Sequence, residues 1–108
     1  MQNNRLTQLQ QFLAEDPQDP FNWYALALEY LLTDSIQARI HFEKLLQDFP
    51  HYLPTYYQAA QFYLAIEAYE AARQVFEKGL ALSLAQNEVN THRELQNAYR
   101  LFLEELED

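Results

Sequence analysis

The chain has 108 residues, of which 49% are hydrophobic, and this length and composition suit one domain with a packed core. Its 16 acidic and 7 basic side chains give a formal charge of -9, which argues against a surface for the phosphate backbone of nucleic acid. The absence of cysteine excludes disulfides and thiolate metal sites. Because the chain has one glycine and four prolines, it is expected to be nearly all helix.

The N-terminal segment MQNNRLTQLQQFLAEDP is too polar for a signal peptide. No apolar run in the sequence approaches the roughly 18 residues that are needed to span a bilayer. A cytoplasmic protein without membrane contact is therefore expected.

The first three predicted helices occupy the first half of the chain. An opening helix over residues 4–16 ends at Pro17. The second helix begins after Asp19, which offers an N-cap next to Pro20, and residues 33–35 offer a turn and the N-cap of the third. Spacings of three, four and seven residues place one apolar stripe on each helix. These stripes consist of Leu6, Leu9, Phe12 and Leu13, then Trp23, Leu26, Ala27 and Tyr30, then Ala38, Phe42, Leu45 and Leu46.

The last three predicted helices begin with a second hairpin and end with a long closing helix over residues 88–106. The same spacings place an apolar stripe on each of them. These stripes consist of Tyr56, Ala59, Ala60 and Tyr63, then Ala72, Phe76, Gly79 and Leu80, then Val89, Leu95, Ala98, Tyr99, Phe102 and Leu106.

Two nonapeptides, ARIHFEKLL and ARQVFEKGL, begin at Ala38 and Ala72, which are 34 residues apart. Such a period is typical of stacked-repeat proteins, and the pattern resembles the tetratricopeptide repeat, W-x2-L-G-x2-Y followed by A-x3-F-x2-A and P. The first copy supplies Trp23, Leu26, Ala27, Tyr30, Ala38, Phe42, Leu45 and Pro50. The second copy supplies Tyr56, Ala59, Ala60, Tyr63, Ala72, Phe76 and Gly79, with Leu84 in place of the proline.

The resemblance implies an all-α fold in which antiparallel helix-turn-helix repeats stack as a short right-handed α-solenoid of about six helices. A single domain over residues 1–108 would then contain four parts. These are an N-terminal half-repeat at 4–16, repeat 1 at 18–50, repeat 2 at 51–84 and a C-terminal capping helix at 88–106.

The copies depart from the family at the turn between their paired helices. The turn of the first copy is one residue shorter, and neither copy has the usual glycine. In the second copy Glu67 takes the place of that glycine, at a cost of roughly 1 kcal/mol in a left-handed turn. One hypothesis is that this turn straightens, so that residues 54–84 form one helix that exchanges its second half with another subunit.

The resemblance also implies an interaction module without catalysis, which holds a peptide or helix of a partner protein on a concave surface. The first helix of each hairpin would line that surface. The matching positions are Tyr24, Leu28, Leu31, Tyr57, Gln58, Gln61 and Leu64. The alternatives are burial of these side chains under neighbouring helices, or a self-assembly unit, a homodimer, whose groove is filled by its own second copy.

A possible contact for an acidic group lies on the closing helix, where Arg93, Asn97 and Arg100 follow at steps of four and three. The alternative is a solvated face with Arg100 paired to Glu104. The residues with which some family members grip a terminal carboxylate are absent from the two complete hairpins.

Metal, cofactor and catalytic sites are not expected. The histidines at 41, 51 and 92 lack the spacing that would place two ligands on one helical face. The chain also has no serine in a glycine-rich elbow and no phosphate-cradling loop.

Overall fold

The computed structural model describes residues 4–107 and contains no strand within that range. Residues 1–3 and 108, which the predicted single domain includes, lie outside the described residues. The six helices are α1 (Asn4–Glu15), α2 (Pro20–Leu31), α3 (Ser35–Asp48), α4 (Pro54–Ala65), α5 (Tyr69–Ala85) and α6 (Val89–Glu107). The all-α prediction and the predicted number of helices are confirmed.

The helices group into two compact units, and each is described by itself. The first unit ends at Thr55 and the second begins at Tyr56. In the first unit α2 packs against both α1 and α3, and in the second α5 packs against α6. Between Asn4 and Glu107 no helix is long and apolar enough to cross a membrane.

The core of the first unit is formed by the predicted stripes of α2 and α3. The fully buried side chains are Leu26, Ala27, Ala38, Phe42 and Leu45. The apolar stripe of α1 is only partly buried. This helix packs on α2, and its predicted core residue Phe12 remains 52% exposed. The opening helix therefore covers the unit with only part of its apolar face.

The core of the second unit combines residues from α4, α5 and α6. Its buried side chains include Tyr56, Ala59, Ala60, Tyr63, Ala72, Val75, Phe76, Leu95 and Phe102. Two predicted core residues of α6, Val89 and Leu106, are exposed instead. They lie at the first residue and in the last turn of the helix, so the prediction extended the buried stripe too far at both ends.

Aspartates begin α2 and α3 as predicted. Asp19 Oδ1 accepts a hydrogen bond of 3.0 Å from the backbone N–H of Phe21, and Pro20 is the first helical residue. Asp34 Oδ1 accepts a 3.2 Å bond from the N–H of Gln37. These bonds satisfy N–H groups that have no partner inside the helix.

The chain leaves α4 through Glu67, which has a left-handed backbone with φ 61°. The N–H of Ala68 donates to the carbonyl of Tyr63 at 2.8 Å, and the N–H of Glu67 donates to that of Leu64 at 3.0 Å. This pair of bonds is a Schellman motif, which ends a helix and reverses the chain. In this structure α4 and α5 are therefore separate helices of one chain.

The same motif joins α5 to α6. Asn87 has φ 58°, and the N–H of Glu88 donates to the carbonyl of Ser83 at 2.9 Å. The turn after α2 is tighter, because the N–H of Asp34 donates to the carbonyl of Tyr30 only four residues earlier. The corresponding bond after α4, from Ala68 to Tyr63, spans five residues. The turn between α2 and α3 is therefore one residue shorter than the turn between α4 and α5, as predicted.

Candidate functional site

A groove of about 600 Å³ lies in the second unit, where α4 and α6 each present one helical face. Its lining residues follow one another at steps of three and four, which brings them to one side of each helix. The α4 side consists of Tyr57, Gln61, Leu64 and Ala65. The α6 side consists of Glu94, Asn97, Ala98, Leu101, Phe102 and Glu105.

The apolar part of the groove combines a buried ring with an exposed side chain. Phe102 is 2% exposed and forms the floor, whereas Leu101 is 53% exposed. Leu64 and Ala98 are half-buried beside them. An exposed leucine in a concave apolar surface is a feature of interaction sites rather than of ordinary surfaces.

The floor of the groove is held in place by aromatic packing. The ring of Phe102 stacks on Phe76 at 5.8 Å and on Tyr99 at 6.2 Å between centroids. Tyr69 also stacks on it at 6.3 Å, and the guanidinium of Arg73 lies 5.9 Å from the ring centroid. Contacts on several sides leave the ring little rotational freedom, so the floor is preorganised for a ligand.

The hydroxyl of Tyr99 completes this cluster outside the groove by donating a 3.0 Å hydrogen bond to Glu77 Oε2. Burial, and then the hydrogen bond to Glu77, raise the pKa of Tyr99. The hydroxyl therefore remains protonated and keeps its donor role at neutral pH.

The polar groups of the groove are amides and carboxylates. Gln61 and Asn97 face it from opposite helices, and an amide can both donate to and accept from a peptide backbone. Glu94 and Glu105 add two exposed carboxylates. Among the described residues that line the groove there is no lysine, arginine or histidine, so its charge is negative.

A separate hollow of about 450 Å³ lies in the first unit. It is lined by Arg5, Phe21, Tyr24, Ala25, Leu28, Glu29 and Leu32. Arg5 Nε lies 3.0 Å from Glu29 Oε2, and the Glu29 side chain is only 13% exposed. This mostly buried carboxylate already has a cationic partner, so the hollow carries a neutralised ion pair.

The Tyr24 ring in that hollow packs edge-on against Tyr52 at 5.7 Å between centroids. Burial raises the pKa of Tyr24 and, together with the nearby Tyr24 and Asp19, that of Tyr52. Both phenols are therefore neutral at physiological pH and act through packing.

The seven residues predicted to line a groove divide between the two units. Tyr57, Gln61 and Leu64 line the groove of the second unit, whereas Tyr24 and Leu28 line the hollow of the first. Leu31 is exposed and Gln58 is half-buried, and neither lies in the lining of these two cavities.

The three residues predicted to meet an acidic group also separate. Asn97 lines the groove, and Arg93 lines a third cavity near the turn between α5 and α6. Arg100 Nη1 lies 3.1 Å from Glu104 Oε1, which is the pairing considered as the alternative for this residue. Sequence reasoning missed Glu94, Leu101 and Glu105, although their spacing from Asn97 places them on one face of a helix.

His92 is hydrogen-bonded to a buried serine. The hydroxyl of Ser83 donates to the carbonyl of Leu80 at 3.0 Å, so the Nδ1–H of His92 donates to Ser83 Oγ at 2.8 Å. Ser83 is completely buried at the third cavity, and its hydroxyl is taken up by these two contacts. Within residues 4–107 no group of three or more His, Cys, Asp or Glu side chains is placed to hold a metal ion.

His41 lies in an aromatic environment on α3. Its Nδ1–H donates to the carbonyl of Gln37 at 2.8 Å, and its ring lies 5.5 Å from Trp23 and 5.1 Å from Tyr30. Burial lowers the pKa of His41, so the neutral ring is favoured in the folded chain.

Comparison with known proteins gave one match that bears on the fold. No protein-family model matches the chain, and no curated protein matches it. The chain is similar to a tetratricopeptide repeat domain protein from Salinibacter ruber, whose structure was determined in solution by NMR. The two chains are 32% identical, and the TM-score is 0.75. The alignment covers 81% of this chain and 89% of the other.

The paired antiparallel helices and their recurring turns place the chain among the all-α helical-repeat proteins. The likeness to the Salinibacter ruber protein specifies the class further: the chain belongs to the tetratricopeptide repeat family. The fold of this family is in general that of a protein-interaction module and is typically not catalytic.

Proposed function

We propose that the chain is a protein–protein interaction module that holds a peptide or helix of a partner protein in the groove between α4 and α6. The observation that carries this proposal is the exposed Leu101 beside the fixed ring of Phe102. An apolar side chain of the partner would cover the exposed surface of Leu101 above this ring, and about 25 cal/mol is gained for each Å² of apolar surface removed from water.

The polar residues of the groove would set the orientation of the bound segment. Gln61 and Asn97 offer donors and acceptors to its backbone, and Tyr57 adds a ring with a hydroxyl. Tyrosine is common in interfaces because it buries a large area with little loss of side-chain freedom. Leu64 and Leu101 would be the apolar anchors.

A displayed library of random 12-residue peptides, panned against the chain, tests the proposal. The affinities of the enriched peptides are then measured by fluorescence anisotropy. Leu101→Ala, and Tyr57→Ala together with Leu64→Ala, should weaken binding about tenfold or more, since central anchors typically contribute about 2 kcal/mol.

Leu84→Ala is the matched control, because Leu84 is also an exposed leucine but lies outside the groove. It should leave the affinity unchanged. Thermal melting of all the variants shows whether each of them folds. Enriched peptides that bind the groove variants and the parent chain equally would contradict this assignment of the groove.

A second candidate is a structural self-assembly unit, a homodimer whose groove is filled by its own second copy, with or without exchange of helices. The exposed Leu101 fits this candidate as well, because a copy of the chain would also cover it. The charge of the groove favours a different occupant, since a symmetric contact would bring its carboxylates towards those of the second copy.

A further inference from the structure

We infer that the groove between α4 and α6 takes a cationic amphipathic segment, in which two Lys or Arg side chains flank an apolar stretch. This inference rests on the proposed function and adds the chemistry of the partner. It follows from the charges of the groove, their spacing and the apolar surface between them.

The two carboxylates of the groove are available to a ligand. Glu94 and Glu105 are exposed, and neither belongs to the ion pairs formed among residues 4–107. The nearest basic residues along α6 are placed elsewhere: Arg100 pairs with Glu104, and Arg93 lines the third cavity. A cation brought by the partner would therefore meet two carboxylates without displacing a cation of the chain.

The charges lie at the two ends of the apolar surface. Glu94 and Glu105 begin and end the α6 side of the lining, with Ala98, Leu101 and Phe102 between them. Their separation of 11 positions corresponds to about 16 Å along a helix at 1.5 Å per residue. A helical partner needs its cations about eleven residues apart. An extended partner needs them about six apart, because its side chains alternate between two faces and only an even spacing places both cations on the same face.

The charge of the whole chain acts in the same direction. A net charge of -9 attracts a cationic segment and repels an anionic one during approach. An acidic segment would also place like charges against Glu94 and Glu105. Both the local and the overall charge thus favour a basic partner.

The test uses synthetic 14-residue probes that share one leucine-bearing apolar face. In the first probe, two lysines lie eleven positions apart, and in a second they lie six apart. Matched probes carry glutamine or glutamate at the lysine positions. Fluorescence anisotropy at about 50 mM and about 500 mM salt measures the affinity of each for the full chain.

We expect the better lysine probe to bind about three- to tenfold more tightly than its glutamine counterpart at low salt, and the glutamate probe to bind most weakly. High salt should reduce this preference, because it screens exposed charges. Glu94→Gln together with Glu105→Gln should remove most of it and leave only the part that the net charge of the chain contributes. Glu107→Gln is the matched control, since it removes a carboxylate of α6 outside the groove and should leave the preference intact.

The outcomes separate the inference from the function on which it rests. If all the probes bind alike and Leu101→Ala weakens them equally, the groove binds peptides but the inferred charge preference is wrong. The inference also fails if the preference is undiminished in the Glu94 and Glu105 double variant while circular dichroism shows that variant to be folded. If neither the probes nor the panned library peptides bind, the proposed function fails as well.

Discussion

Gly79 of α5 packs against Tyr56 of α4 and Leu95 of α6. A Cβ atom at this position would lie 2.7 Å from the Cβ of Tyr56 and 3.2 Å from Cδ1 of Leu95. Overpacking typically costs about 1–3 kcal/mol, and the cost here is at the upper end because the Cβ of Tyr56 is fixed to its backbone and cannot rotate away. The better helix propensity of alanine returns roughly 1 kcal/mol, which leaves a net loss of about 1–2 kcal/mol. We predict that Gly79→Ala lowers the melting temperature by about 5–10 °C, measured by circular dichroism.

Ala81→Ser provides the control for Gly79→Ala, because Ala81 is an exposed residue of the same helix. It should change the free energy of unfolding by no more than about 0.5 kcal/mol. A Gly79→Ala variant as stable as the parent chain would mean that α4 and α5 can move apart at this point without loss.

His41 gives the chain a pH-dependent contribution to its stability. Burial lowers the pKa of His41 in the folded state, whereas in the unfolded chain the imidazole keeps the ordinary histidine pKa of about 6.5. As the pH falls, the unfolded chain is therefore protonated at His41 before the folded chain is. Full stability is present above that pH and is lost as the pH falls towards the folded-state pKa. We predict that the stability advantage of the parent chain over His41→Gln shrinks between about pH 7.5 and pH 5, measured by urea unfolding.

The carboxylates titrate in both proteins, so the difference between them at each pH isolates His41. The rings of Trp23 and Tyr30 lie beside that of His41 in the parent chain. A difference that stays constant over the whole range would contradict the prediction.

At the scale of the elements, α4 and α5 both end in a Schellman motif, but a different residue occupies its left-handed position in each. Glu67 and Asn87 both have left-handed backbones, but asparagine tolerates this conformation better than glutamate does. We predict that Glu67→Gly raises the free energy of unfolding by about 0.5–1 kcal/mol, whereas Asn87→Gly changes it by less than about half of that. Urea midpoints at an unchanged slope measure both effects.

A lower midpoint for Glu67→Gly would show that the glutamate side chain contributes more than its backbone costs. This comparison also bears on helix exchange. Relief of the strained turn should favour the closed hairpin of one chain over a straightened α4 and α5 that pairs with another subunit.

The helices and their caps could be predicted from the sequence because their signals are local. Asp19, Pro20 and Asp34 stand at the starts of helices, and the buried stripes of α2 and α3 follow the helical period. The turn at Glu67 could also be predicted, through the family pattern, although glutamate there contradicts residue preference.

The groove could be predicted only in part. Tyr57, Gln61 and Leu64 follow from the position of α4 in its hairpin, but the α6 half depends on the rotation of that helix about its axis. The apolar stripe of α6 predicts its buried face, but Leu101 lies beside that stripe, so its surroundings depend on where α4 lies. From the sequence alone, Leu101 fits a solvent-exposed position as well as a groove position. Glu94 and Glu105 can be recognised as groove residues only once Leu101 is known to lie between them in the groove.

At the scale of the whole molecule, the solution mass decides whether the groove is open. An isologous contact places the same surface of each copy against the other, so Glu94 and Glu105 would face a second pair of carboxylates. With a net charge of -9 on each copy, association at low salt is opposed further.

We therefore predict that light scattering gives the mass of a monomer, 12.9 kDa, at low salt. The value should hold over about a hundredfold range of concentration, because mass action would reveal a dimer at its upper end. A stable dimer that Leu101→Ala dissociates would instead favour the self-assembly unit, since it would show that a second copy covers the groove. A dimer indifferent to Leu101→Ala would leave the groove free for a partner and place the contact between copies on another face.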